Sequence, residues 1–525
     1  MGFLIKKPEN EAGKALPAIV IGVFVSFGGI LFGYDTGTIN GILAMDYFQS
    51  EFATELDSKG VPALTSSQTS LIVSILSAGT FCGALTASPF GDILGRRMGL
   101  IASCLIFSIG VAFQVASTTI PLMAAGRVVA GFGVGLVSAL VPLYQSESSP
   151  KWIRGTIVGC YQLAITVGLL LAACANQGTH ARKDHSSYRI PLAIQFVWAA
   201  ILAGGMFILP ETPRYFIKKD KMQDAAKSMS RLRSLPADHP ALVEELNEIK
   251  AIHDYELSLG AGDASYADCF KPDMIKRLLT GCGIQALQQL TGINFIFYYG
   301  TQFFKNSGIQ NAFLIGLITN LVNVISTFPG LWMVEKMGRR NLLLFGAIGM
   351  CFCQFIVAIV GVTTVSDVAN NVLIAFVCFY IFFFACSWGP CTWVVTGEIY
   401  PLKVRAKCLS ISTATNWLLN WAIGYSTPYL VASGPGNANL GLNIFFIWGG
   451  CCFICIAFVY FFIYETKGLS LEDVDQLYMT VDKAWRSQGF VPSISYNHEK
   501  MHATGHGPDG KPTGLSHIEG GHGDV

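Results

Sequence analysis

Residues 91–97 read Gly91-Asp92-Ile93-Leu94-Gly95-Arg96-Arg97, and residues 335–340 read Glu335-Lys336-Met337-Gly338-Arg339-Arg340. Both stretches put an acid three residues before a glycine and a pair of arginines after it, at an offset of 243. The order of motifs then continues in each half. Glu147 and Arg154 return as Glu398 and Arg405 at an offset of 251, and Pro210-Glu211-Thr212 returns as Tyr464-Glu465-Thr466 at an offset of 254. Three ordered matches at nearly constant spacing mean that the second half of the chain repeats the first in the same direction. Each motif lies at the edge of a long apolar run, so the repeated unit is a set of helices with the links between them.

Composition says where such helices belong. Of 525 residues, 52% are hydrophobic and 13% charged, against about 25% charged in soluble domains. So few charges cannot cover a soluble surface of this size, which excludes a soluble enzyme, a disordered chain and a disulfide-rich secreted module. A net charge of +1 implies no nucleic-acid partner. Fourteen of the 15 cysteines lie in or beside apolar stretches, where thiols act as small hydrophobes. A helix that crosses a bilayer needs about 20 mostly apolar residues. Twelve such runs start near residues 17, 69, 98, 122, 155, 190, 276, 311, 341, 371, 406 and 441. The first contains Asp35 and is too long for a cleaved signal. Glycine is frequent inside the runs, and alternating ten-residue strands are missing. The sequence therefore predicts an all-α membrane protein, with twelve transmembrane helices in two parallel six-helix repeats.

Sidedness follows from Lys and Arg. The segments on the side of the termini hold 29 of them, the opposite loops hold 5, and Arg127 lies within a span. That bias puts both termini in the cytosol. The expected organisation is a cytosolic arm (1–16), a six-helix bundle (17–210), a cytosolic helical loop (211–275), a second bundle (276–463) and a cytosolic tail (464–525) that is disordered after about 488. In the loop, Asp238-His239-Pro240 resembles a helix start, and Leu242, Leu246, Ile249 and Ile252 form an apolar stripe. The tail opens on Ser470-Leu471-Glu472-Asp473, the pattern of a capping box. Further on, His498, His502 and His506 are read as incidental histidines of a linker rather than as a metal site. No metal, cofactor or enzyme signature is expected.

Few polar groups have to be tolerated inside the bilayer, and they are informative. Asp35 and Arg127 sit within spans one and four, and each costs roughly 3 kcal/mol at a helix centre. They are read as a mutual pair that serves as a proton site, since a moving arginine changes a carboxyl's proton affinity; a static structural pair is the alternative. Gln162, Gln285, Gln288, Gln289, Asn294, Asn323, Asn416 and Asn420 form an uncharged group. Amides both donate and accept, so a cavity lined by them suits a neutral ligand covered in hydroxyls; singly, each is more often interhelical glue. Gly292 lets its helix loosen just before Asn294, Tyr298 and Tyr299. Trp388 and Trp393 flank Gly389-Pro390, where an indole could lie against the apolar face of a sugar ring. At the cytosolic edge, Asp92, Arg96, Arg97, Glu147, Arg154, Glu335, Arg339, Arg340, Glu398 and Arg405 are expected to form ion pairs that hold an inner mouth shut. Plain positive-inside anchoring accounts for the arginines but not for the repeated acids.

Together these motifs resemble the sugar porter family of the major facilitator superfamily, and most of all its fungal monosaccharide transporters. The resemblance covers about residues 17–478. It rests on Gly33-Tyr34-Asp35-Thr36-Gly37, Gly91 to Arg97, Gly126-Arg127, Pro142-Leu143-Tyr144 with Glu147, Pro150 and Arg154-Gly155, Pro210 to Arg214, Gln288-Gln289 through Asn294, and Trp388-Gly389-Pro390 with Trp393. It implies a monomeric plasma-membrane hexose transporter working by alternating access. By resemblance, Gln162, Gln288, Gln289, Asn294, Asn323 and Trp393 contact the sugar, with Asn416 and Asn420 nearby. Tyr298 and Tyr299 match the outer gate. Asp35 matches the proton-accepting carboxylate of symporters, with Arg127 as its partner, although some fungal facilitators keep the acid. Sugar:proton symport is therefore expected, with a facilitative uniporter and a transporter-like sugar sensor as alternatives. Ala385 stands where animal facilitators have a glutamate, and Tyr464 replaces the proline of the second Pro-Glu-Thr.

Overall fold

The computed structural model describes residue 14 and residues 16–56, 62–150, 153–258, 265–306, 312–363, 367–401, 403–432, 436–469 and 471–491. The first repeat contributes span 1 (Leu16–Val25 continuing as Phe27–Ala44), span 2 (Ser66–Ile93), span 3 (Arg96–Ala116), span 4 (Ile120–Ser148), span 5 (Arg154–Thr179) and span 6 (Ser186–Ile208). The second contributes span 7 in two pieces, 7a (Pro272–Leu290) and 7b (Ile293–Asn306). Span 8 (Ala312–Met337) and span 9 (Arg339–Thr363) follow. Span 10 runs from Asp367 to Glu398 through a π-helical turn at Phe384–Trp388; span 11 (Arg405–Val431) and span 12 (Ile444–Phe462) complete the set. Ten of the twelve are long and apolar enough to cross a membrane on length and composition. Span 7 is broken into two short pieces, the first with Asp273, Lys276 and Arg277 beside its glutamines, and span 11 mixes Asn416 and Asn420 with several Ser and Thr. Among the described residues one element is not helical: Glu55–Leu56 pairs antiparallel with Pro62–Ala63 between spans 1 and 2.

The three repeated motifs turn out to be one structural module, present twice at the basic face. Gly95 and Gly338 take φ of +90° and +88°, which ends one span and starts the next within two residues in the first half and one in the second. The carboxylate of Glu211 then accepts the backbone N–H groups of Arg96 (3.1 Å) and Arg97 (2.9 Å). Glu465 does the same for Arg339 (2.9 Å) and Arg340 (3.1 Å). Each glutamate thus satisfies orphan donors at a helix N-terminus, where the helix dipole also favours negative charge. The threonine of each motif donates to the mid-bundle glutamate of its half: Thr212 Oγ1 to Glu147 Oε2 (2.6 Å) and Thr466 Oγ1 to Glu398 Oε2 (2.8 Å). A Cβ on Gly338 would overlap the Glu465 carboxylate. Gly338→Ala is therefore expected to cost about 2 kcal/mol from the left-handed backbone alone, and more from the displaced cap. An unchanged melting temperature of the purified protein would contradict this.

The loop between the halves folds as Pro213–Lys218, Met222–Arg233 and Pro240–Ser258. Leu242 and Leu246 bury against Ile217, Ala225 and Met229, and Ile249 packs at the edge; the side chain of Ile252 lies outside the described residues. Helix Pro240–Ser258 begins where the sequence indicates, with His239 Nδ1 accepting the Ala241 N–H (3.3 Å). Helix Leu471–Thr480 follows span 12, while Ser470 and the histidine-bearing residues 492–525 lie outside the described residues, as does the arm before Lys14. The halves meet through spans 2 and 11 on one side and spans 5 and 8 on the other, pairs that exchange under the repeat. All 15 cysteines are free thiols.

Candidate functional site

Between the halves lies a cavity lined by spans 1, 5, 7, 10 and 11. Six of the eight residues singled out for a ligand are in its wall: Gln162, Gln288, Gln289, Asn294, Trp393 and Asn416. Asn420 and Asn323 are not in the lining. Asn420 lies one turn beyond Asn416, and Asn323 is buried in span 8 with neither side-chain polar atom hydrogen-bonded. The rest of the wall is Phe32, Ile165, Leu169, Ile293, Phe297 and Phe384, with Thr36. Those apolar residues carry no mark in the sequence that separates them from any other core position.

The amides are organised before any ligand arrives. Asn416 Nδ2 donates to Gln285 Oε1 (2.7 Å) and Gln288 Oε1 (2.9 Å). Gln288 Nε2 donates to the carbonyls of Trp388 (2.9 Å) and Gly389 (3.2 Å). Both carbonyls lie where the π turn meets Pro390, and that of Trp388 also accepts Thr392 Oγ1 (2.7 Å). Gln289 Oε1 accepts from Asn294 and from Asn420 Nδ2 (3.3 Å). Asn420 Oδ1 in turn accepts the Tyr298 hydroxyl (2.9 Å) and Ser77 Oγ (2.7 Å). One continuous network thus runs from the cavity floor to a tyrosine of 7b. Trp393 meets Tyr161 edge to face at 5.3 Å. Trp388 differs from the expectation, because its indole Nε1 donates to the Leu343 carbonyl (3.0 Å) and the ring packs into span 9. Ala385 lies buried in the π turn.

Asp35 and Arg127 are almost fully buried, and Arg127 Nη2 stands 3.7 Å from Asp35 Oδ2. The spacing is an ion pair rather than a well-formed hydrogen bond; among the described residues neither side chain makes one elsewhere, and the Gln195 amide of span 6 is the polar group that faces Asp35 beside Arg127. Thr36 is in the cavity wall, and adjacent helical residues point about 100° apart. Asp35 therefore sits one residue behind the wall, turned toward span 4.

Away from the basic face, 7b closes the cavity. Tyr298 and Tyr299 are buried, the Tyr299 hydroxyl donates to the Gly424 carbonyl (2.6 Å), and the Thr301 N–H reaches Asn40 Oδ1 of span 1 (3.3 Å). At the basic face the expected ion pairs form, but mostly inside each half rather than across it. Arg96 pairs with Glu147 (3.0 Å) and Asp92 (3.4 Å); Arg339 pairs with Glu398 (2.8 Å) and Glu335 (3.0 Å). Burial explains this, since an uncompensated charge there is costly and each half neutralises its own. Arg97 instead donates to the carbonyls of Met206 and Phe207, Arg340 to that of Tyr460, and Arg405 to that of Tyr400. Arg154 is buried at the start of span 5. Contact across the halves comes from Lys407 on Asp92 (3.7 Å), from the Tyr266 hydroxyl on the Leu85 carbonyl (2.6 Å), and from Gly155 pressed against Glu335 and Arg339. Lys407 and Tyr266 were not singled out, and neither belongs to a repeated motif.

The family model described as "Sugar (and other) transporter" matches residues 21–478. The chain is 64% identical over 504 residues to the "Major facilitator-type transporter ecdD" of Aspergillus rugulosus, covering 94% of this chain and 93% of that protein. It is 52% identical to the "Probable glucose transporter rco-3" of Neurospora crassa, covering 97% and 86%. To the "High glucose sensor RGT2" of Saccharomyces cerevisiae it is 47% identical, covering 88% of this chain and 60% of the sensor. Among solved structures, the proton:xylose symporter XylE bound to 6-bromo-6-deoxy-D-glucose superposes with a TM-score of 0.76 at 26% identity, covering 89% of this chain and all of XylE. An inward-open conformation of XylE gives 0.66.

Proposed function

The chain belongs to the sugar transporter family, and we propose that it carries a hexose, glucose foremost, across the plasma membrane by alternating access and in symport with a proton. The observation that carries this reading is the amide network of spans 7 and 11 in the wall of the cavity between the halves, with Asp35 one residue behind the facing wall. Sugar hydroxyls would exchange for amide partners at Gln288, Gln289, Asn294 and Asn416, while Gln162 and Trp393 close on the other side of the ring. Because Gln289 also holds Asn420, which holds Tyr298, filling the cavity reaches the 7b gate through bonds already in place. The basic face is then the cytosolic one, in line with the distribution of Lys and Arg. The Lys407–Asp92 contact, the Tyr266–Leu85 bond and the packing of Gly155 on the Arg339 cluster would hold the inner mouth shut until the sugar is enclosed. The better superposition on sugar-bound than on inward-open XylE supports a closed inner mouth.

Proton coupling is favoured by the loose 3.7 Å pair. A buried carboxylate held only by a loose pair with Arg127 and by the neighbouring Gln195 amide can take a proton when the arginine moves away, and binding of sugar beside Thr36 offers a cause for that movement. Uptake of a non-metabolised glucose analogue tests the reading. One proton moving down 100 mV supplies about 2.3 kcal/mol, enough for roughly 50-fold accumulation. An analogue that never exceeds its outside concentration would make the protein a facilitative uniporter. Likeness to a glucose sensor keeps a second reading, reception of sugar without net transport. A protein that triggers a glucose-dependent transcriptional response while moving no labelled sugar would establish it.

A further inference from the structure

The break in span 7 strands a carbonyl, and the protein supplies it with new partners from spans 9, 10 and 12. In an unbroken helix the Thr291 carbonyl would accept the N–H of Phe295, four residues on. Gly292, at φ +87°, turns the chain instead, and the Phe295 N–H bonds the Gly292 carbonyl at 3.1 Å. A Cβ there would lie 2.5 Å from Trp448 Cγ of span 12, so packing as well as backbone geometry calls for glycine. The buried Thr291 carbonyl accepts the Tyr380 hydroxyl of span 10 (2.8 Å) and Gln354 Nε2 of span 9 (3.3 Å), with the weakly donating Cys452 thiol of span 12 farther off at 4.0 Å. Neither Tyr380 nor Gln354 lines the cavity, and both are buried. On the 7a side, Thr291 Oγ1 donates to the Gln288 carbonyl (2.7 Å), which ties the break to the amide pair. On the other side, 7b carries the tyrosines and Thr301 that shut the cavity.

We propose that Tyr380 and Gln354 are positioning residues that hold span 7 in its broken form. They occupy the carbonyl that a straightened helix would return to Phe295, and so favour the state in which 7b lies against span 1. Opening the outer mouth requires 7b to swing about Gly292. As the helix straightens, the Thr291 carbonyl must leave Tyr380 and Gln354. The clasp sets the balance between outer-closed and outer-open states without touching the ligand. This inference rests on the alternating-access reading above.

The test uses the full-length protein in lipid vesicles and nanodiscs. Tyr380→Phe removes a hydroxyl and almost no volume. The loss of one hydrogen bond from the closed state shifts the population by roughly fivefold. A glucose O-propyl ether, too bulky to pass, should then bind about fivefold tighter from the outer side, since its apparent affinity follows the fraction of open protein. The half-saturation concentration for glucose leaving from the inner side should rise. Amide hydrogen exchange over residues 293–299 should quicken by a similar factor. Gln354→Met should give the same signs with a smaller size, because its bond is longer, and it carries the test alone if Tyr380→Phe does not fold. A merely structural defect would weaken binding on both sides. That result, or unchanged exchange in 7b in both variants, overturns the proposal. If the wild type binds no glucose ether while exchange in 7b still quickens in Tyr380→Phe, the clasp stands and the sugar reading falls.

Discussion

Asp35→Asn is expected to reduce accumulation of a non-metabolised glucose analogue from roughly 50-fold per 100 mV to none, while exchange of labelled for unlabelled sugar continues. Asparagine keeps the shape of the side chain but cannot take up the charge that Arg127 faces across 3.7 Å. The buried arginine is left without its counter-ion, so some loss of expression accompanies the change; exchange measured per molecule of protein at the surface separates the two effects. Exchange needs only the sugar-loaded carrier to reorient, and in that state the neutral asparagine stands in for the protonated carboxyl. The thermodynamic drive disappears, yet the amides at Gln288, Gln289 and Asn416 are untouched. Variant accumulation equal to that of the wild type would remove Asp35 from any coupling role. Loss of exchange as well as accumulation would instead give the pair a structural one.

Arg339→Ala is expected to be the most damaging single change at the basic face, costing about 3 kcal/mol or more. Its side chain is 3% exposed and holds Glu398 and Glu335 together. Removing it leaves both carboxylates near one another, with Thr466 as the remaining donor on Glu398. Loss of a buried partner is costly because the other charge stays behind, not because the pair was intrinsically strong. Lys407→Ala is the informative comparison. Lys407 makes a longer contact, 3.7 Å, to an Asp92 already served by Arg96 and Lys218, so stability should change by less than about 1 kcal/mol. Because that contact joins the halves, the conformational balance should respond instead. Melting of the purified variants reads the first effect, and labelling of residues in the inner mouth reads the second. Equal melting temperatures for Arg339→Ala and wild type would show that the cluster bears no load.

Residue by residue, the sequence was more informative about the frame than about the contacts. The repeat beginning at Gly91 and Glu335 carried the topology, because charges and glycines at span edges are costly to misplace. Asp35 and Arg127 were legible for the same reason, since charge in an apolar run is rarely idle. The amides of spans 7 and 11 were visible as polar residues where hydropathy should be highest. Asn323 looked no different from Asn416 in sequence, yet it lies outside the cavity wall. Trp388 looked no different from Trp393, yet it points into span 9. Glu211 and Glu465 were recognised as repeated, but nothing in their spacing reveals that they cap the arginine-bearing helices.

By itself the sequence determined the membrane class, the two parallel halves, the sidedness expected from Lys and Arg, and the short set of polar residues from which a site could be made. Local spacing records which face of its own helix a residue occupies, and charge records what the bilayer will tolerate. Which helix stands opposite that face depends on how twelve of them pack. Only the tertiary structure decided that six of the eight chosen residues share one cavity, that the arginines pair within their own halves, and that Tyr380 and Gln354, distant in sequence, meet the carbonyl freed at Gly292.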